Sequence, residues 1–193
     1  MTDQVKKALR DTMKQIRSKM SVSYRAAASS QVCNRIRLLE QYREAKKIAL
    51  YCAVKGEIDL DELWKNALLQ GKICYFPVLN EENLTLSFLP ATSDTPFHKN
   101  RYGIAEPDVH PDLSIPVEEL DLALVPLVAF DVRCNRLGMG AGYYDRTFKN
   151  KGNCPLFGVA YQFQRVDCLE SEPWDIQLNA VITQRAIYWY GGF

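Results

Sequence analysis

The chain has 193 residues, 47% of them hydrophobic and 24% charged, with a formal net charge of +1. That is the composition of an ordinary globular protein with enough chain for one substantial domain, residues 1–193. No apolar run approaches the roughly 18 residues that cross a bilayer, and MTDQVKKALRDTMKQIRSKM lacks the apolar core of a secretion signal, so no membrane role and a cytoplasmic location are expected.

Two helices open the chain. Val5, Ala8, Leu9, Met13 and Ile16 follow helical apolar spacing, and Lys6, Arg10, Lys14 and Arg17 share another face. Ser21 is placed to cap a second helix whose apolar stripe is Ala28, Val32, Ile36 and Leu39. After Lys47, KIALYCAV reads as a buried strand and DLDELWKNALLQG as a helix stopped by Gly71. KICYFPVL and LTLSFLP read as strands joined by a turn at Asn80–Asn83. Residues Ala91–Pro116 form a long connection without clear periodicity. LDLALVPLVAFD is the most apolar run and is expected as a central strand leading directly into a glycine loop, with a helix from about Tyr143. CPLFGVAY, NAVITQ and RAIYWY supply the last strands. Strands alternating with helices after two N-terminal helices point to a three-layer α/β/α fold with a largely parallel sheet.

Six cysteines include no CxxC pair and only two histidines, His98 and His110, accompany them. A zinc site and a disulfide framework are both disfavoured. Charge is unevenly spread: residues 1–47 hold twelve Lys or Arg against four Asp or Glu, and the remainder holds twelve against nineteen. Such a bias suits a basic element folded over an anionic ligand, a nucleic-acid arm, or two helices with solvated basic faces. Composition alone favours the last.

Asn135–Arg146, NRLGMGAGYYDR, carries Gly138, Gly140 and Gly142 at alternate positions. Backbone N–H groups approach an anion closely where no Cβ intervenes, but a tight turn uses glycines as readily. Arg136 and Arg146 flank the loop, Tyr143 and Tyr144 follow it, and Asp145 supplies a hard oxygen donor of the kind Mg²⁺ uses beside phosphates.

This segment closely resembles the signature of the 5-formyltetrahydrofolate cyclo-ligases, the 5,10-methenyltetrahydrofolate synthetases. KKALRDTMK, GEID and EPWDIQLNAVIT resemble that family's basic ATP-binding helix, folate-contacting turn and C-terminal acidic segment, in the same order. The resemblance implies a single domain of the sugar-phosphate isomerase and CoA transferase type. It implies ATP- and Mg²⁺-dependent conversion of 5-formyltetrahydrofolate to 5,10-methenyltetrahydrofolate, by a monomer that binds these small molecules and no nucleic acid. Carried over residue by residue, Lys6, Lys7, Ala8, Leu9 and Arg10 meet ATP, as do Arg136, Leu137, Gly138, Met139, Gly140, Ala141, Gly142, Tyr143 and Tyr144. Cys52, Glu57 and Tyr102 border the folate together with Met139–Tyr143, Asp145 and Asp175 hold the metal, and Lys6, Arg136 and Tyr143 are the catalytic positions. Some members of that family carry a basic residue where this chain has Met139; Arg133, Arg136 and Arg146 are the cations left to compensate. The rivals are a sugar-phosphate isomerase, which needs carboxylate and histidine near the loop, and a folate- or nucleotide-binding protein without turnover.

Overall fold

The apolar runs pair side by side in the computed structural model, which describes residues 1–192. The strands are β1 (Lys47–Ala49), β2 (Ile73–Asn80), β3 (Thr85–Ala91), β4 (Phe97–Lys99), β5 (Ala105–Pro107) and β6 (Leu122–Pro126), followed by β7 (Ala129–Phe130), β8 (Arg136–Leu137), β9 (Leu156–Val159), β10 (Ala180–Ile182) and β11 (Ile187–Trp189). Helices are α1 (Asp3–Lys19), α2 (Val22–Leu38), α3 (Glu40–Glu44), α4 (Asp61–Leu69) and α5 (Tyr143–Thr147).

Seven strands make the main sheet in the order β11-β10-β9-β6-β1-β2-β3. The pairings from β10 through β2 are parallel, and β3 and β11 close the two edges as antiparallel partners. Every residue of β9, and all of β6 except Pro126, is buried, as expected of strands covered on both faces. On one face Val32 and Ile36 of α2 and Leu63 of α4 pack onto Ile48, Leu122 and Phe157. On the other, Tyr143 and Phe148 join Phe130, Leu156 and Val181. Each such side chain stabilises the fold by about 1.5–3 kcal/mol. The fold is α/β with a mixed, mostly parallel central sheet.

The chain leaves β1 toward β2 on one side and returns to β6 on the other. Residues beyond the carboxyl ends of β1 and β6 therefore diverge, and ligands of open α/β sheets bind in such crevices.

Local signals set the helix starts. The Thr2 hydroxyl accepts from Val5 N at 3.4 Å and the Ser21 hydroxyl from Tyr24 N at 3.2 Å. Four expectations need correction. Val5 and Ile16 are 50% and 41% exposed, whereas Met13 and Arg17 are buried; α1 turns much of its basic stripe inward, because that side faces a cleft rather than bulk water. The LDLALVPLVAFD run is not one strand: β6 stops at Pro126, and β7 turns away to pair with β8. The glycine loop thus follows a short hairpin, not the central strand. Residues 91–116 carry the β4–β5 hairpin, too short to show a period.

Candidate active site

A cleft of about 1120 Å³ opens at the divergence of β1 and β6. Tyr51, Cys52 and Glu57 reach it from beyond β1, and Leu127 from beyond β6. Asn100, Tyr102 and Glu106 come from the β4–β5 hairpin, Lys6 and Arg10 from α1, and Arg136 through Arg146 from the glycine segment. Seven cations and seven carboxylates line it, so placement rather than net charge must select a ligand.

At one end α1 meets the glycine loop. Arg10 Nε donates to the Gly138 carbonyl at 2.9 Å, and a Cβ on Gly140 (φ +104°) would sit 3.4 Å from the Arg10 guanidinium carbon. A Cβ on Gly142 (φ +69°) would come within 2.7 Å of Arg146 Nη1, so that position combines a left-handed backbone with a close cation. Lys6 Nζ is 3.0 Å from Glu172 Oε1. The Tyr143 hydroxyl accepts from Arg101 Nη2 at 3.2 Å, while the Arg146 guanidinium lies 5.6 Å from the Tyr143 ring centroid. Met139 is 43% exposed at the loop tip. Of the cations named to compensate for it, Arg136 and Arg146 line the cleft and Arg133 does not.

The two acidic positions behave differently from each other. Asp145 Oδ1 pairs with Arg136 Nη2 at 2.6 Å and accepts from Ile176 N at 3.1 Å. Asp175 Oδ2 accepts from Glu172 N at 2.8 Å, which ties its own turn together. Each keeps one carboxylate oxygen outside these bonds, and both line the cleft. No cluster of three or more His, Cys, Asp or Glu fit to hold a metal occurs among the described residues. Two carboxylates completed by ligand phosphates and water are the donor set Mg²⁺ uses, so the residues fit the ion only when phosphate is present.

At the other end the environment is drier. The Glu57 side chain is 8% exposed, its Oε1 is 3.4 Å from Nη1 of the 1%-exposed Arg17, and its Oε2 accepts from Val54 N at 3.1 Å. Burial pushes the Glu57 carboxyl above its usual range, opposed by Arg17. Glu57 does not cap α4, which begins four residues later. Burial also pushes the Cys52 thiol up to about 12, which keeps it protonated and unreactive at neutral pH.

Within one cleft the structure gathers Lys6, Arg10, Cys52, Glu57, Tyr102, Arg136–Tyr144, Asp145 and Asp175. Lys7 and Ala8 instead face solvent, and Leu9 packs against Ala129, Leu137 and Leu169. Arg17, Glu106 and Glu172 were not picked out as site residues from the sequence. Arg17 stood in the basic stripe and Glu172 in the acidic segment, but a single chain reveals no partner. Glu106 is buried and accepts from Leu79 N at 3.0 Å and Asn100 Nδ2 at 2.7 Å, fixing the hairpin that presents Tyr102.

A mixed α/β sheet with a glycine loop and flanking cations lining the cleft at its switch point is an arrangement found in nucleotide- and phosphate-handling proteins. Residues 2–184 match the 5-formyltetrahydrofolate cyclo-ligase family, and the chain belongs to it. The 5-formyltetrahydrofolate cyclo-ligase of Haemophilus influenzae is 39% identical over 94% of this chain and 99% of its own length. That of Escherichia coli is 36% identical over 75% and 81%. The solution structure of Aquifex aeolicus 5,10-methenyltetrahydrofolate synthetase superimposes with a TM-score of 0.84 at 32% identity, covering 98% of this chain and 94% of that one. The Mycoplasma pneumoniae 5,10-methenyltetrahydrofolate synthetase does so with a TM-score of 0.75 at 26% identity, covering 95% and 99%.

Proposed function

We propose that the protein converts 5-formyltetrahydrofolate and ATP to 5,10-methenyltetrahydrofolate, ADP and phosphate. The observation that carries this reading is the division of one cleft into a cation-and-glycine clamp around Lys6, Arg10 and Gly138–Gly142 and a dry carboxylate end at Glu57. The first suits a polyphosphate and the second a heterocycle rich in N–H donors.

The chemistry asks for no nucleophilic side chain. The formyl oxygen attacks the γ-phosphorus and ADP leaves; N10 then attacks the activated formyl carbon and phosphate leaves. Lys6, Arg10 and Arg136 neutralise charge on the phosphate oxygens, while Tyr143, Tyr102 and Glu57 hold the acceptor in line. Lys6 must exchange Glu172 for a phosphate oxygen, and because Glu172 is 42% exposed that pair opens at little cost. Asp145 and Asp175 would hold Mg²⁺ together with phosphate oxygens, and the ion would offset charge developing on them. Histidine, which the isomerase alternative needs, is absent from the cleft lining among the described residues.

The test is to mix the purified protein with 5-formyltetrahydrofolate and MgATP and follow the near-ultraviolet absorbance of the methenyl product. Growth that requires both ATP and Mg²⁺ supports the reading. No growth while ATP still binds sinks it in favour of a binding protein.

A further inference from the structure

Beside the cleft lies a second cavity, of about 500 Å³, and Lys55 borders both. Four of its seven lining residues are the cations Lys14, Arg17, Arg25 and Lys55; none is acidic. The main cleft is lined by as many carboxylates as cations, whereas no carboxylate lines this cavity. Arg17 is the telling member. It is 99% buried, spends only Nη1 on Glu57, and leaves Nε and Nη2 without a hydrogen-bond partner among the described residues. Arg25 Nε is likewise buried and unpartnered. Guanidinium groups in buried sites are normally satisfied, and a planar fork of N–H donors matches an oxyanion.

We propose that this cavity is a second anion site, taking a small ligand with a phosphate-type, multiply charged oxyanion, and that its ligand shares Arg17 with Glu57. Its volume falls within the range of small-molecule sites. A nucleic-acid backbone needs exposed cations, whereas the defining guanidinium here is buried. The link to the cleft follows from Arg17. An anion drawing on that guanidinium leaves the Glu57 carboxylate less well paired, so bound anion and bound folate oppose each other, and by reciprocity each weakens the other equally. Only this linkage, and not the site itself, rests on the folate role proposed for Glu57.

The experiment titrates pyrophosphate into the full-length protein by calorimetry, with the cleft saturated by ADP and ionic strength held constant. We expect one further saturable site, weakened at least tenfold in a Lys14→Ala/Arg25→Ala variant whose turnover is unchanged. Pyrophosphate should also raise the dissociation constant of 5-formyltetrahydrofolate about fivefold, at the low end of ordinary couplings, and leave it unmoved in the variant. If the double variant melts early, Lys14→Glu on the helix surface gives the same readout. Absence of a second site in the unmodified protein, or a site indifferent to these substitutions, overturns the proposal. Equal binding of succinate overturns the phosphate assignment. A second site in a protein that fails to turn over 5-formyltetrahydrofolate leaves the cavity standing and removes the folate reading alone.

Discussion

The two ends of the cleft solve opposite electrostatic problems. At the α1–glycine loop end, the Lys6–Glu172 pair is part exposed, with side chains at 13% and 42%. At the Glu57 end, the Arg17–Glu57 pair is 1% and 8% exposed. An exposed pair contributes little, in the range of ~0–1 kcal/mol, so its cation can be handed to a ligand. A buried pair cannot be halved without stranding a charge. The first end is therefore built for exchange and the second for permanence. That difference suits a site in which a polyphosphate enters and leaves as ADP while a heterocycle is held in one orientation.

Substitutions at the two ends should separate on these grounds. The largest effect is expected from Lys6→Ala, which should lower kcat/KM for ATP by roughly 10²–10³, the usual loss for one donor to developing charge. Its melting temperature should hardly move; a fall in melting temperature with normal turnover would sink the exchange picture. Glu57→Gln should raise KM for the folate but leave stability at neutral pH little changed, because the amide oxygen still accepts from Arg17 and burial already disfavours the charge, a pairing of effects read by kinetics beside denaturant unfolding.

The pH dependence sharpens the contrast. Because burial raises the Glu57 carboxyl above its ordinary value of 4.5, the folded protein holds that proton more tightly than the unfolded chain. This group therefore favours the fold at acid pH, and its contribution is lost as pH rises through the raised value. With the folate role proposed for Glu57, binding uses the carboxylate and should run the other way, with kcat/KM falling as pH drops through the raised Glu57 value. Glu57→Gln should flatten that limb, and a limb that survives would assign it elsewhere.

Gly142→Ala should cost about 1–2 kcal/mol for its left-handed backbone and displace Arg146, visible as a lower melting temperature with a raised KM for ATP. The smallest effect belongs to Glu172→Gln. It should change stability by less than ~1 kcal/mol and lower KM for ATP slightly, because Lys6 is no longer engaged.

Much of this was legible in the chain because it is local. The caps at Thr2 and Ser21, the stop at Gly71, the β2–β3 hairpin and the helix starting at Tyr143 each depend on a few neighbouring residues. The glycine segment and its flanking charges could be read in the same way. What failed was long-range. The burial of Arg17 at the foot of the α1 basic stripe was not foreseen, and the β4–β5 hairpin was hidden in residues 91–116, because nothing local says which side of an element another will cover.

By itself, then, the sequence determined the residue types that the chemistry needs, the order of the elements and the family signature, all of which are written in short stretches. The tertiary structure alone decided which charges are exchangeable and which are fixed. Lys6 and Arg17 lie eleven positions apart on one helix; only packing distinguishes them, because the surrounding dielectric and the nearest carboxylate come from residues 40 to more than 160 positions away.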